Sequence, residues 1–417
     1  MNPLSLKTVP IIILAVLLGL NPTLAAVIDP AEVKEIAATL PAHPVGFGQP
    51  ISNRGAWARL AALPPFQKLL NQGQATAQQP PPESPDELYF DFSKTSNREH
   101  WEKVAGVRRG RIDTFALAEC LENRGQFLTP LEETIRAICA ELTWVMPAHD
   151  GKLDNFQGRM TEMDLGATML AWDLATADYL VGQKLSGPTR QLLHENLERR
   201  IFTPFRDMVE GRQKEIYWLS VLNNWNAVCL AGVTGSALAT LEPREERASF
   251  VAAAGHYIKS FLRGFTPDGY CGEGLGYWNY GFGYFVMLAE AVRQVTDNQV
   301  DLLADPAARA PAFFGLRSEI LNRIYPSISD CRPGTRPDEH AMNLLCRRFG
   351  MQGPACGQAE PLPPVRSLYA AAMYAFLSAQ LPVVPGSSPD GQSPLRTWFR
   401  PPVCERPGVR LYGQGRA

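Results

Sequence analysis

Several things are scarce in this chain. Net charge is only −2 over 417 residues, so there is no broad cationic field to release counterions from a nucleic acid. Any acidic partner must be met by local positive groups. The apolar run at residues 11–20 is shorter than the ~20 residues a spanning helix needs. No Gly-rich phosphate loop, H-E-x-x-H or G-x-S-x-G occurs, which removes the usual signatures of nucleotide, zincin and serine-hydrolase chemistry. The eight cysteines have no zinc-site spacing, and no cofactor or metal is expected. Strand-like alternation is almost absent from residues 101–381. No repeat of fixed length is visible, which disfavours a solenoid.

What is present starts with 45% hydrophobic residues, enough for a sizeable core. Residues 1–25 read as a secretory signal. Lys7 is a thin positive start, residues 11–20 are apolar, and Thr23-Leu24-Ala25 offers small residues for cleavage after Ala25. An uncleaved anchor is the competing reading. The expected location is periplasmic or secreted, with no stable membrane insertion after cleavage. An exported chain can form disulfides. Cys120, Cys139 and Cys229 lie in apolar helical patterns and read as packed thiols. Cys271, Cys331, Cys346 and Cys356 lie in loop-rich stretches and are the bridge candidates.

Along the chain, residues 26–85 read as irregular apart from a short helix at residues 31–40, and end in a Pro-rich linker at residues 78–85. Helices are predicted at residues 111–124, 164–183, 188–201, 224–241, 244–265, 276–296, 306–324 and 366–381. Another starts near Pro130, where Leu131, Ile135, Ile138, Cys139 and Leu142 recur at helical steps and Glu132 faces Arg136. Phe250, Ala254, Tyr257, Ile258, Phe261 and Leu262 mark one apolar face. Many helices with short connections fit an antiparallel all-α array, and periodicity alone permits a solenoid or a bundle.

Two segments stand out. One is Asn223-Asn224-Trp225-Asn226-Ala227-Val228-Cys229. The other is Asp268-Gly269-Tyr270-Cys271-Gly272-Glu273-Gly274-Leu275-Gly276-Tyr277-Trp278-Asn279-Tyr280. Each gathers amides, aromatics and glycines at a helix entrance. With Pro147-Ala148-His149-Asp150, they resemble the heparinase II/III-like polysaccharide lyases across residues 90–380. The resemblance implies an (α/α) incomplete toroid over residues 86–382. It also implies an acidic, uronate-containing polysaccharide as substrate and β-elimination as the reaction. Relatives continue into a β-sandwich. Here residues 383–394 are Pro-, Gly- and Ser-rich, and residues 383–417 read as a linker and irregular tail with at most a remnant of that domain.

Such a lyase must neutralise the uronate carboxylate, remove the C5 proton and protonate the leaving O4. Asn224 is the expected neutraliser, with helix capping as the competing reading for it and for Asn223. The family often has His after this Asn; Trp225 stands here, which shifts weight to tyrosine. Tyr277 matches the family's catalytic tyrosine and is the expected base, acid or both. An aromatic core stripe is the alternative for Tyr277, Tyr280 and Tyr284, at i, i+3 and i+7. Glu273 is expected to orient Tyr277 or touch the sugar carboxylate; a first-turn acid is the alternative. His149, Asp150, Asn223, Trp225, Trp278 and Tyr280 complete the expected substrate contacts, with core packing open for the tryptophans. Asp268-Gly269 reads as a turn. A glycoside hydrolase, using Glu273 with Asp150 or Asp268, and a catalytically impaired carbohydrate-binding protein are the competing functions.

Overall fold

A computed structural model describes residues 27–353, 356 and 367–377. The expected signal at residues 1–25, the linker at 383–394 and the tail to 417 lie outside these residues. The described chain is all-α: it contains no strand, only an isolated bridge between Leu321 and Ile324. No helix among the described residues is long and apolar enough to cross a membrane.

Residues 27–85 carry the expected first helix and correct the expectation that the rest is irregular. They hold α1 (Pro30–Thr39), α2 (Arg54–Ala61) and α3 (Pro64–Ala77). Prolines occupy first-turn positions of α1 and α3, where the missing N–H costs nothing. Trp57, Phe66, Leu69 and Leu70 enter the same core as the later helices. Two arginines tie this segment down. Arg54 donates to the carbonyls of Cys120 and Leu121 at 2.7 and 2.9 Å. Arg247, with no exposed surface, donates to the carbonyls of Pro41 and His43 at 2.8 and 3.0 Å.

Next come α4 (Asp86–Thr95), α5 (Glu99–Glu122), α6 (Leu128–Cys139), α7 (Leu165–Val181), α8 (Gly187–Leu197) and α9 (Thr203–Val209). A π-helical turn, Glu198–Phe202, joins the last two. The expected Glu132–Arg136 pair forms at 2.9 Å. Then follow α10 (Asn224–Thr240) and α11 (Arg244–Leu262), whose predicted apolar face is buried. A short α12 (Gly274–Tyr277) runs through a second π-helical turn, Trp278–Phe282, into α13 (Gly283–Val295).

The single helix expected over residues 306–324 is broken into α14 (Pro306–Ala312) and α15 (Phe314–Arg317), followed by the 321–324 bridge. Pro311 near the end of α14 cannot donate to a continuing helix. The last elements are α16 (Glu339–Phe349), which the sequence reading missed, and α17 (Leu368–Leu377). Cys346 and Cys356 form a disulfide. Cys271 and Cys331 remain free and buried, and Cys120, Cys139 and Cys229 are buried thiols as expected.

The most intimate pairing is α7 with α10, and glycine sets it. A Cβ at Gly232 would lie 2.5 Å from the Thr168 carbonyl oxygen, and one at Gly235 would lie 2.1 Å from the Trp172 ring. Moving down α10 from Gly232 to Gly235 moves down α7 from Thr168 to Trp172, so the two helices run parallel. Their N-termini therefore open at the same end of the molecule. Gly281, in the second π-helical turn, approaches Asn224 in the same way: a Cβ there would lie 3.0 Å from Asn224 Cβ. Three helix entrances, at Asp164, Asn223 and the tyrosine turn, are thus brought together.

Candidate active site

At this end, Asp164 caps α7. Its carboxylate accepts from Ala167 N–H at 2.7 Å and from Met146 N–H at 2.9 Å. The same carboxylate meets His149 Nδ1 at 2.7 Å. Asp164 is 3% exposed, so the contact is shielded from water and carries more weight than a surface pair. An ionised carboxylate only accepts, so Nδ1 carries the proton; in the neutral imidazole Nε2 then has the lone pair. No hydrogen bond holds Nε2 among the described residues. His149 was expected here; Asp164, read in the sequence only as a helix start, was not.

The His149 ring lies 4.6 Å from Trp225, and Trp225 lies 5.4 Å from Tyr217. Three rings therefore run outward from His149, ending at Tyr217, which is 56% exposed. Tyr217 was missed because one exposed tyrosine in a loop carries no pattern. Partial burial of this half-exposed side chain pushes its hydroxyl upward, followed by Cys229, Asp164 and Glu162 in that order.

Asn223 is the cap of α10: its side chain accepts from Trp225 N–H at 3.2 Å. Capping therefore explains Asn223 and leaves Asn224 without that duty. Asn224 is the first residue of α10, 6% exposed, and packed against Gly281. Asn226 is buried for another reason. Its amide donates to the carbonyls of Trp218 and Leu219 at 3.1 and 2.9 Å, holding the turn that presents Tyr217.

The tyrosine turn divides its residues. Tyr277 is half-buried, and no hydrogen bond engages its hydroxyl among the described residues. Tyr280 lies beside Tyr284, ring centroids 5.4 Å apart, and its hydroxyl meets Met169 Sδ at 3.7 Å. Burial pushes Tyr280 well above the ordinary phenol range, aided by Tyr284, Cys229, Asp164 and Tyr277 in that order. Tyr284 is core: its hydroxyl bonds Met169 Sδ at 2.8 Å and pairs with Tyr369. The expected common face of three tyrosines assumed a regular helix. The π-helical turn Trp278–Phe282 changes that phase.

Two expected contacts are spent inside the fold. Trp278 is 1% exposed; its indole N–H donates to Pro311 at 2.9 Å and its ring stacks on Phe282. It is a core residue, not a sugar platform. Asp150 is 4% exposed and accepts from Tyr89 O–H, Asn155 N–H and Phe156 N–H at 3.1, 3.1 and 2.9 Å. It organises the loop behind His149 instead of facing the cleft.

Glu273 is half-buried, and its carboxyl is pushed above the ordinary range by burial and then by Asp330. A neighbouring positive φ makes the turn possible: Gly274 has φ +83, and a Cβ there would lie 2.4 Å from the Ile328 carbonyl oxygen. Asp268 is bonded to Thr266 Oγ1 at 2.5 Å, and Gly269 has φ +86, which is the expected turn chemistry.

This end of the molecule thus offers a polarised imidazole, a buried amide at a helix N-terminus, an unengaged phenol and a run of rings. Among the described residues no cluster of His, Cys, Asp and Glu is arranged to hold a metal. No protein-family model matches the chain, and no curated protein matches it.

Proposed function

We propose that this chain is an exported polysaccharide lyase on an α/α toroid, of the heparinase II/III-like type, which cleaves a uronic-acid-containing glycan by β-elimination. The observation that carries the reading is the meeting of the His149–Asp164 dyad with Asn224 and the Tyr277–Tyr280 turn at one end of parallel helices. In this scheme the Asn224 amide and the α10 N-terminus receive the uronate carboxylate. Negative charge can then spread onto it as the C5–H bond breaks. His149 Nε2 or the Tyr277 phenolate accepts the C5 proton. The C4–O4 bond breaks, a C4=C5 double bond forms, and Tyr277 O–H delivers a proton to O4. Trp225 and Tyr217 give the sugar faces flat apolar surfaces.

The hydrolase alternative asks for two facing carboxylates. Asp150 is consumed by three donors and Asp268 by its turn, so neither is left to partner Glu273. The test is incubation of the purified chain with heparan-sulfate-type, alginate-type and other polyuronate glycans, following the far-ultraviolet absorbance of the new double bond. New absorbance with chain shortening supports elimination. New reducing ends without absorbance would replace it with hydrolysis, and binding without either product would leave a carbohydrate-binding protein.

A further inference from the structure

Behind the segment that carries Asp164 lies a cavity of about 110 Å³. A water needs roughly 10–15 Å³ of such space, so the cavity has room for a small substituent as well as water. Its wall is mostly polar, with Thr143, Asn155, Thr161, Glu162, Arg199 and Arg200 the groups that matter. Two consecutive arginines share one wall. Neighbouring residues of a regular helix do not face the same way, but these sit in the π-helical turn Glu198–Phe202.

The two guanidiniums differ in what they have left to give. Arg200 is 7% exposed and fully engaged, donating to Asn196 Oδ1 at 2.9 Å and to the carbonyls of Leu142 and Glu141. It is a fixed positive wall. Arg199 is exposed and makes one hydrogen bond among the described residues, to Asn196 Oδ1 at 3.2 Å. The rest of its planar fork is available to a carboxylate or sulfate. Thr143 Oγ1 accepts from Val145 N–H at 3.1 Å, which leaves its O–H to donate. Glu162 is the one acid on the wall, and burial pushes its carboxyl upward, so two positive charges face at most one negative.

The cavity adjoins the site: Ala167 lines it and donates its N–H to the Asp164 carboxylate at 2.7 Å, and Glu162 on its wall stands two residues before Asp164.

We infer that this cavity is a second subsite, which reads an oxyanion substituent, carboxylate or sulfate, on a sugar of the glycan away from the one at His149. The inference rests on the uronate reading of the cleft, but its test does not use turnover. The full chain carrying His149→Ala, which disables the main cleft, is titrated calorimetrically with D-glucuronate, inorganic sulfate and glucose. The same titrations follow with Arg199→Gln added. Because Arg199 is exposed, that change leaves the fold intact, and circular dichroism checks it.

The expected result is glucuronate binding in His149→Ala that weakens about tenfold or more with Arg199→Gln, the equivalent of one charge-assisted hydrogen bond. Sulfate competes and glucose does not bind. Loss of binding with His149→Ala alone, unchanged binding with Arg199→Gln, or equal binding of glucose would overturn the subsite. Sulfate binding without glucuronate binding would overturn its assignment to a sugar. Arg199-dependent glucuronate binding in a chain that cleaves no polymer would sink the lyase reading and leave the subsite standing.

Discussion

Asp113 and Asp173 allow a prediction that needs no substrate. They lie on α5 and α7, 2% and 7% exposed, and no cation is bonded to either among the described residues. Asp173 Oδ1 accepts from Leu368 N–H at 2.7 Å, pinning the start of α17. Asp113 Oδ1 has no hydrogen-bond partner among the described residues. The Arg109 guanidinium, which opposes the rise at Asp173, donates to the carbonyls of Gly166 and Trp144.

Burial pushes Asp113 from 3.8 to about 7. It pushes Asp173 well above its ordinary value too, with the Asp113 charge adding to the effect. A folded pKa above the unfolded one means a contribution fully present below about pH 4 and lost as pH rises through about 7. For Asp113 the loss is roughly 4 kcal/mol. That is a large part of the ~5–15 kcal/mol that holds a domain folded.

Urea unfolding from about pH 4 to about pH 8 should show the wild type losing stability relative to Asp113→Asn, with the variant the more stable at the alkaline end. Asp178, Glu132 and Glu198 are held below their ordinary values. Their stabilisation disappears only as pH falls below the ordinary carboxylate range, outside this window. Glu141, Glu162 and Glu273 titrate upward in both proteins and cancel in the difference. Parallel pH profiles for the two proteins would refute the reasoning.

Tyr277→Phe should lower turnover about 10²-fold or more with little change in melting temperature; near-native turnover removes Tyr277 from proton transfer. Asn224→Asp should be worse for activity than Asn224→Ala, because it sets a charge against the uronate. Since Asn223 supplies the α10 cap, neither change should show the stability pattern of a lost cap, which thermal unfolding of both variants checks. Asp164→Ala removes acceptors for Ala167, Met146 and His149. It should cost at least the ~1 kcal/mol of an N-cap and shift the pH–rate profile as Nδ1 loses its partner; an unchanged profile would separate His149 from catalysis. Gly235→Ala drives a methyl into the Trp172 ring and should destabilise by about 1–3 kcal/mol, measured by urea midpoint.

Much of the local structure was legible in the residues themselves. The reading of α10 as residues 224–241 agrees with Asn224–Thr240 to within one residue, because apolar periodicity and an amide at the entrance are local signals. The apolar face of α11 and the three packed thiols follow from the same periodicity. Two of the local misreadings involve proline. Pro64 opens a helix in a segment expected to be irregular, and Pro311 helps end one inside a longer predicted helix.

The site was legible in part. Asn224, Trp225, His149 and Tyr280 were singled out from the sequence and come to one end of the molecule. The partner of His149 lies 15 residues further on, and nothing in either local pattern joins them. Trp278 and Trp225 look alike in sequence, yet one faces Pro311 in the core and the other faces His149. A π-helical turn, set by packing, decides the phase around Trp278. The acids Asp113 and Asp173 read as ordinary helix residues until α5 and α7 bury them together. Periodicity and capping are written in neighbouring residues, so sequence alone determined the all-helical class and most helix starts. Which polar groups share a pocket depends on how far each helix slides along the next. Gly232, Gly235 and Gly281 set that register only when the backbones they admit are in place.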